Sequence, residues 1–203
     1  MEELQKINIS NLIAQIKNMA ISPKDALDSM GDDANFNNVA STNTFLFLFF
    51  VPLGMLISQV MIGTSWVNVR IHLPFSMWLL IVGAFMFYSL IIVFATSKIA
   101  WVLKDSMGFT GSQNKLNKIV VLATSAFFVG DGAYWVLCFI RDLKDLAPYL
   151  GPVFGIAAAG YVLFMGFDAE KFETTEANKI IFIGIILGAL GGLTLIFNLA
   201  VMK

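Results

Sequence analysis

The chain has 203 residues, enough for one ordinary domain, of which 58% are hydrophobic and 13% charged, with a net charge of −1. Soluble domains are roughly 45–50% apolar and about 25% charged, so this composition excludes a soluble globule, a disordered chain and a coiled coil. The 13 Lys and Arg form no basic block for nucleic acid, and the single cysteine, Cys138, excludes an internal disulfide and multi-cysteine metal motifs. With a mean hydropathy of +0.78, the composition is that of an integral membrane protein. The polar, mixed-charge start Met1–Lys6 predicts no cleaved secretory signal.

Residues 1–44 read as a separate N-terminal region. Ile9, Leu12, Ile13, Ile16, Met19 and Ala20 follow the spacing of one helical face, while Asn11, Gln15, Lys17 and Asn18 take the other. This predicts an amphipathic helix over 9–20, too short and polar to span. It either packs beneath the membrane domain or lies flat in the interface. Ser22-Pro23-Lys24-Asp25 is a helix-start signature and predicts a short helix over 23–30, ending before Gly31. A polar linker follows to Thr44.

A spanning helix needs about 20 mostly apolar residues. Five segments meet this: 45–63, 74–97, 119–140, 146–167 and 180–202. The second can continue past Lys98 to Leu103. Membrane β-strands would alternate apolar and polar over about 10 residues, whereas these runs are continuous. The expected fold is therefore all-α, an integral membrane bundle of five transmembrane helices preceded by a cytoplasmic amphipathic helix. Lys6, Lys17, Lys24, Lys98, Lys104, Lys115, Lys118, Lys171 and Lys179 fall on the side of the N-terminus. Arg70, Arg141, Lys144 and Lys203 fall opposite. The excess of basic residues predicts a cytoplasmic N-terminus.

Few residues suggest chemistry. Asp33, Asn35 and Asn37 fit the opening of a calcium loop, but Asn38 stands where Gly is expected and Thr44 where a bidentate Glu is expected, so a solvated linker is the better reading. His72 is the only histidine and reads as an interfacial anchor rather than a zinc ligand. No phosphate loop, nucleophile elbow or zinc-protease motif occurs, so no enzyme, cofactor or metal is expected.

Small residues are more informative. Gly151, Gly155 and Ala159 recur at intervals of four, as do Gly184 and Gly188. Such spacing lets helices approach closely in lipid, inside the bundle or across a dimer face. Asp131, between Gly130 and Gly132, is the one formal charge deep in a predicted span, with Tyr134, Thr124 and Ser125 as candidate polar neighbours. It reads either as a structural carboxyl bonded to another helix or as a proton- or cation-handling site.

Asn11-Leu12-Ile13, then Ile16-Lys17-Asn18-Met19-Ala20-Ile21-Ser22-Pro23-Lys24, resembles the opening of bacterial members of the Yip family, the Ypt/Rab-interacting proteins. Gly160-Tyr161-Val162-Leu163-Phe164-Met165-Gly166-Phe167 and Ala177-Asn178-Lys179 are similar to that family's fourth span and entry to the fifth. The resemblance covers nearly the whole chain and departs from the family at Ala123–Ala126, where many relatives carry a proline. It implies five spans and, for bacterial members, no established activity; with 2 Arg against 11 Lys and no long N-terminal region, the expected location is a bacterial inner membrane. The functional expectation is a non-enzymatic scaffold or membrane-organising protein; a small transporter or channel using Asp131 is the alternative. Expected partners are membrane lipids and a second copy or another membrane protein, with no nucleic acid.

Overall fold

The computed structural model describes residues 17–18, 21–29, 64–66, 69–71, 74–137, 147–170 and 172–201. Its elements in chain order begin with a short helix α1 (Pro23–Ser29) and a hairpin of β1 (Thr64–Trp66) and β2 (Val69–Ile71). Four long helices follow: α2 (Phe75–Ser106), α3 (Gln113–Leu137), α4 (Ala147–Ala169) and α5 (Glu176–Val201). The hairpin pairs antiparallel, Thr64 opposite Ile71 and Trp66 opposite Val69. Among the described residues the regular structure is otherwise helical. The predicted span 45–63, the calcium-like loop and His72 lie outside the described residues, as does helix 9–20 apart from the helical Lys17 and Asn18.

Hydrogen bonding at the helix ends places the boundaries away from the edges of the apolar runs. α3 starts at Gln113, six residues ahead of 119, because Ser112 caps it, its hydroxyl accepting from the Lys115 N–H at 3.3 Å. α5 starts at Glu176 for the same reason, with the Thr175 hydroxyl accepting from the Asn178 N–H at 3.2 Å. α2 runs on past Lys98 to Ser106 and ends in a Schellman motif. There Gly108, at φ 67°, directs its N–H to the Asp105 carbonyl, and Phe109 directs its own to Lys104.

Among the described residues, three stretches, Met86–Ser106, Leu150–Ala169 and Glu176–Thr194, are long and apolar enough to cross a membrane. The long helices close a ring: α2 touches α3 and α5, and α4 touches α3 and α5. α3 is the most deeply enclosed, with every residue from Lys118 to Phe128 buried. α2, α4 and α5 carry the outward apolar surface, including Phe87, Ile91, Phe94, Phe154, Phe164, Ile181 and Ile185. Large apolar side chains facing outward on spanning-length helices suit a lipid solvent rather than water. α1 docks on one end of α3 and α4 through buried Ala26 and Leu27.

Candidate functional site

α3 and α4 cross with their backbones almost touching. A Cβ placed on Gly130 would lie 2.7 Å from the Phe154 carbonyl oxygen, and one on Gly155 would lie 2.8 Å from that of Phe127. Only glycine permits this approach from both sides. Asp131 follows directly and is half-buried. No described residue hydrogen-bonds or ion-pairs its carboxylate.

The same level can be followed around the bundle. Gly155 of α4 neighbours Ile156, whose side chain would lie 3.2 Å from a Cβ on Gly191 of α5. One turn on, Thr194 is buried, and the buried Tyr88 hydroxyl of α2 lies against it. Ser89, next to Tyr88, is fully buried. Asp131 lies 18 residues from Gln113, Thr194 18 from Glu176 and Tyr88 18 from Ser106, so with Ser89 they stand in one layer of depth on three helices. The hydrophobic runs conceal Tyr88, Ser89 and Thr194 from sequence inspection; the only available signal was a hydroxyl inside each run at matching distance from the loops.

The neighbours expected from sequence behave differently. Thr124 and Ser125 are buried, but their hydroxyls donate to the carbonyls of Val120 at 2.8 Å and Val121 at 2.9 Å, one turn back on their own helix. They lie about 10 Å from Asp131 along the axis, by the 1.5 Å rise per residue. Tyr134 lies on α3, and its side chain is outside the described residues.

The two small-residue series have opposite fates. Gly151, Gly155 and Ala159 are all buried, Gly155 against Phe127. Gly184 and Gly188 are exposed, and an added Cβ on either would meet nothing within 4 Å.

A polar and aromatic cluster closes one end of the bundle, and in the sequence only its Lys115 and Lys179 stand out, as basic residues flanking the apolar runs. The α2–α3 and α4–α5 connections meet there: the Thr110 N–H donates to the Glu173 carbonyl at 3.3 Å, and the Asn178 amide donates to Met107 at 3.0 Å. Lys115 pairs with Glu170 at 3.0 Å. Lys179, buried in the first turn of α5, pairs with Asp168 in the last turn of α4 and lies 4.1 Å from the Phe164 ring centroid. Beneath them Phe109, Phe167 and Phe182 pack ring to ring, with centroids 5.1 to 5.4 Å apart. The available signal was the spacing of Asp168 and Lys179 across a Thr-capped turn.

No protein-family model, curated protein or solved structure matches this chain.

Proposed function

We propose that the chain is a non-enzymatic scaffold or membrane-organising protein of five spans, resembling the bacterial Yip proteins, with a cytoplasmic N-terminus in an inner membrane. The observation that carries this reading is the outer face of α5. Gly184 and Gly188 stand open there beside exposed Ile181 and Ile185, on a surface suited to lipid. Such a face lets another helix approach within van der Waals reach, where packing replaces the hydrophobic effect. The partner is a second copy or another membrane protein.

The test is purification in mild detergent, followed by mass measurement of the intact assembly. The parent should emerge as an oligomer or with a defined protein partner, and Gly184→Ile with Gly188→Ile should release it as a folded monomer. A parent that is monomeric and partner-free in detergent and in bilayers overturns the reading.

A second reading is a small transporter or channel. It is favoured by Asp131, whose carboxylate no described residue pairs, in a layer with Tyr88, Ser89 and Thr194. A carboxylate in a span costs roughly 2.5–3.5 kcal/mol on insertion scales. Asp131→Asn keeps the shape and cannot ionise. In vesicles it should abolish any proton or cation flux the parent shows; equal flux in both would remove Asp131 from the mechanism.

A further inference from the structure

The outward face of α2 carries a cation where its surroundings are apolar. Phe87, Ile91, Phe94, Lys98, Trp101 and Val102 recur at helical spacing and are all exposed. The depth of Lys98 follows from contacts at the bundle end. Asn178 of α5 bonds the Met107 carbonyl at 3.0 Å, so the start of α5 is level with the end of α2. The exposed Ile180 and Ile181 open the apolar surface of α5 at that level. Lys98 stands eight residues before Ser106, about 12 Å further along the axis at 1.5 Å per residue. Its backbone therefore lies inside the apolar band, while its ammonium, carried back over Trp101, approaches the rim.

The side chain responds as a lysine in lipid must. Its ammonium lies 3.7 Å from the centroid of the Trp101 ring, one turn nearer the bundle end, and Trp101 is itself 46% exposed. The stem thus runs toward the headgroups over an aromatic face, which offsets part of the desolvation of the cation. The ring supplies no negative charge. Asp105, on the same face, stands seven residues on, about 10 Å away along the axis, and no described carboxylate pairs with Lys98. An ammonium facing lipid at this depth draws its counter-charge from the lipid.

We propose that Lys98 and Trp101 form a binding site on the outer face of α2 for the phosphate of an acidic membrane phospholipid. The acyl chains lie along Phe94, Ile91 and Phe87. The headgroup phosphate meets the Lys98 ammonium above the indole, where aromatic side chains and phosphates both favour the interface. The inference requires that the chain crosses a membrane and is independent of the scaffold reading.

The full-length protein in phosphatidylcholine bilayers, titrated with phosphatidylglycerol and read by native mass spectrometry, tests it. The parent should retain phosphatidylglycerol in preference to phosphatidylcholine. Lys98→Gln should weaken that preference about fivefold, the worth of one basic residue near an anionic surface. Lys98→Arg should restore it, and Lys24→Gln, which removes an exposed charge on α1, should leave it unchanged. Emission from Trp101, in a chain with Trp66, Trp78 and Trp135 replaced by Phe, should respond to phosphatidylglycerol and lose that response with Lys98→Gln. Equal retention of the two lipids, an unaltered preference in Lys98→Gln or an equal loss in Lys24→Gln would each overturn the proposal.

Discussion

Lys179 and Asp168 each sit at the unfavourable end of a helix. A cation in the first turn of α5 faces the positive end of its dipole, and a carboxylate in the last turn of α4 faces the negative end. Pairing offsets both penalties, yet the partners differ in burial: the Lys179 side chain is 5% exposed and that of Asp168 57%. Their removal should therefore be asymmetric. Asp168→Ala strands a buried ammonium and should cost about 2 kcal/mol, discounted from the larger cost of breaking a fully buried pair because water reaches this carboxylate. Lys179→Met removes the buried charge, keeps the stem's packing, and should stay within about 1 kcal/mol of the parent. Thermal melting in detergent measures both, and equal losses would show that the pair does not behave as a buried lysine with an exposed partner. At Gly108 the left-handed backbone of the Schellman turn is costly for other residues, so Gly108→Ala should lose about 1–2 kcal/mol. Gly108→Asn should lose less, since Asn tolerates this conformation.

The four-residue glycine spacing has different consequences on α4 and α5. Gly155 lies in the crossing with α3, where a methyl group would meet backbone that cannot rotate aside. Gly155→Ala and Gly130→Ala should each lower stability by about 1–3 kcal/mol, the range for overpacking a tight core. Gly184→Ala and Gly188→Ala add their methyl groups to open space and remove flexible helical glycines, so the folded monomer should be unchanged or up to about 1 kcal/mol more stable. Melting curves of the four variants separate the faces, and a large loss at Gly184 would mean that α5 packs against the chain itself there. Thr124 and Ser125 make a related point about α3. Their hydroxyls return to their own backbone, so Thr124→Val should be tolerated and should leave Asp131 unaffected.

Across the whole molecule, the α2–α3 and α4–α5 connections share one end and are joined through Thr110, Glu173, Met107 and Asn178. That end carries Lys104, Lys115, Lys118 and Lys179, with Lys24 on the docked α1. The positive-inside rule predicts that it faces the cytoplasm. With five spans the C-terminus then lies on the other side, and a reporter active only in the cytoplasm, fused after Lys203, should be silent. A fully active fusion would reverse this orientation or change the number of spans.

Helices of membrane-spanning length and the helical class were legible in the sequence because both follow from local quantities: the length of an apolar run and the need of every buried peptide group for a partner. Residues within a turn of the helix starts could have been read more closely, since Ser112 and Thr175 are caps that hydropathy alone passes over. What only the tertiary structure decided is which helix is enclosed and which face of each turns inward. In water an inward face is apolar and an outward one polar, so periodicity reveals orientation. In lipid the outside is as apolar as the inside, and that signal disappears. The sequence therefore could not show that Gly155 is buried while Gly184 is open, that Asp131 shares a layer with Tyr88 and Thr194, or that Lys98 faces outward over Trp101. Those distinctions come from how the helices close upon one another.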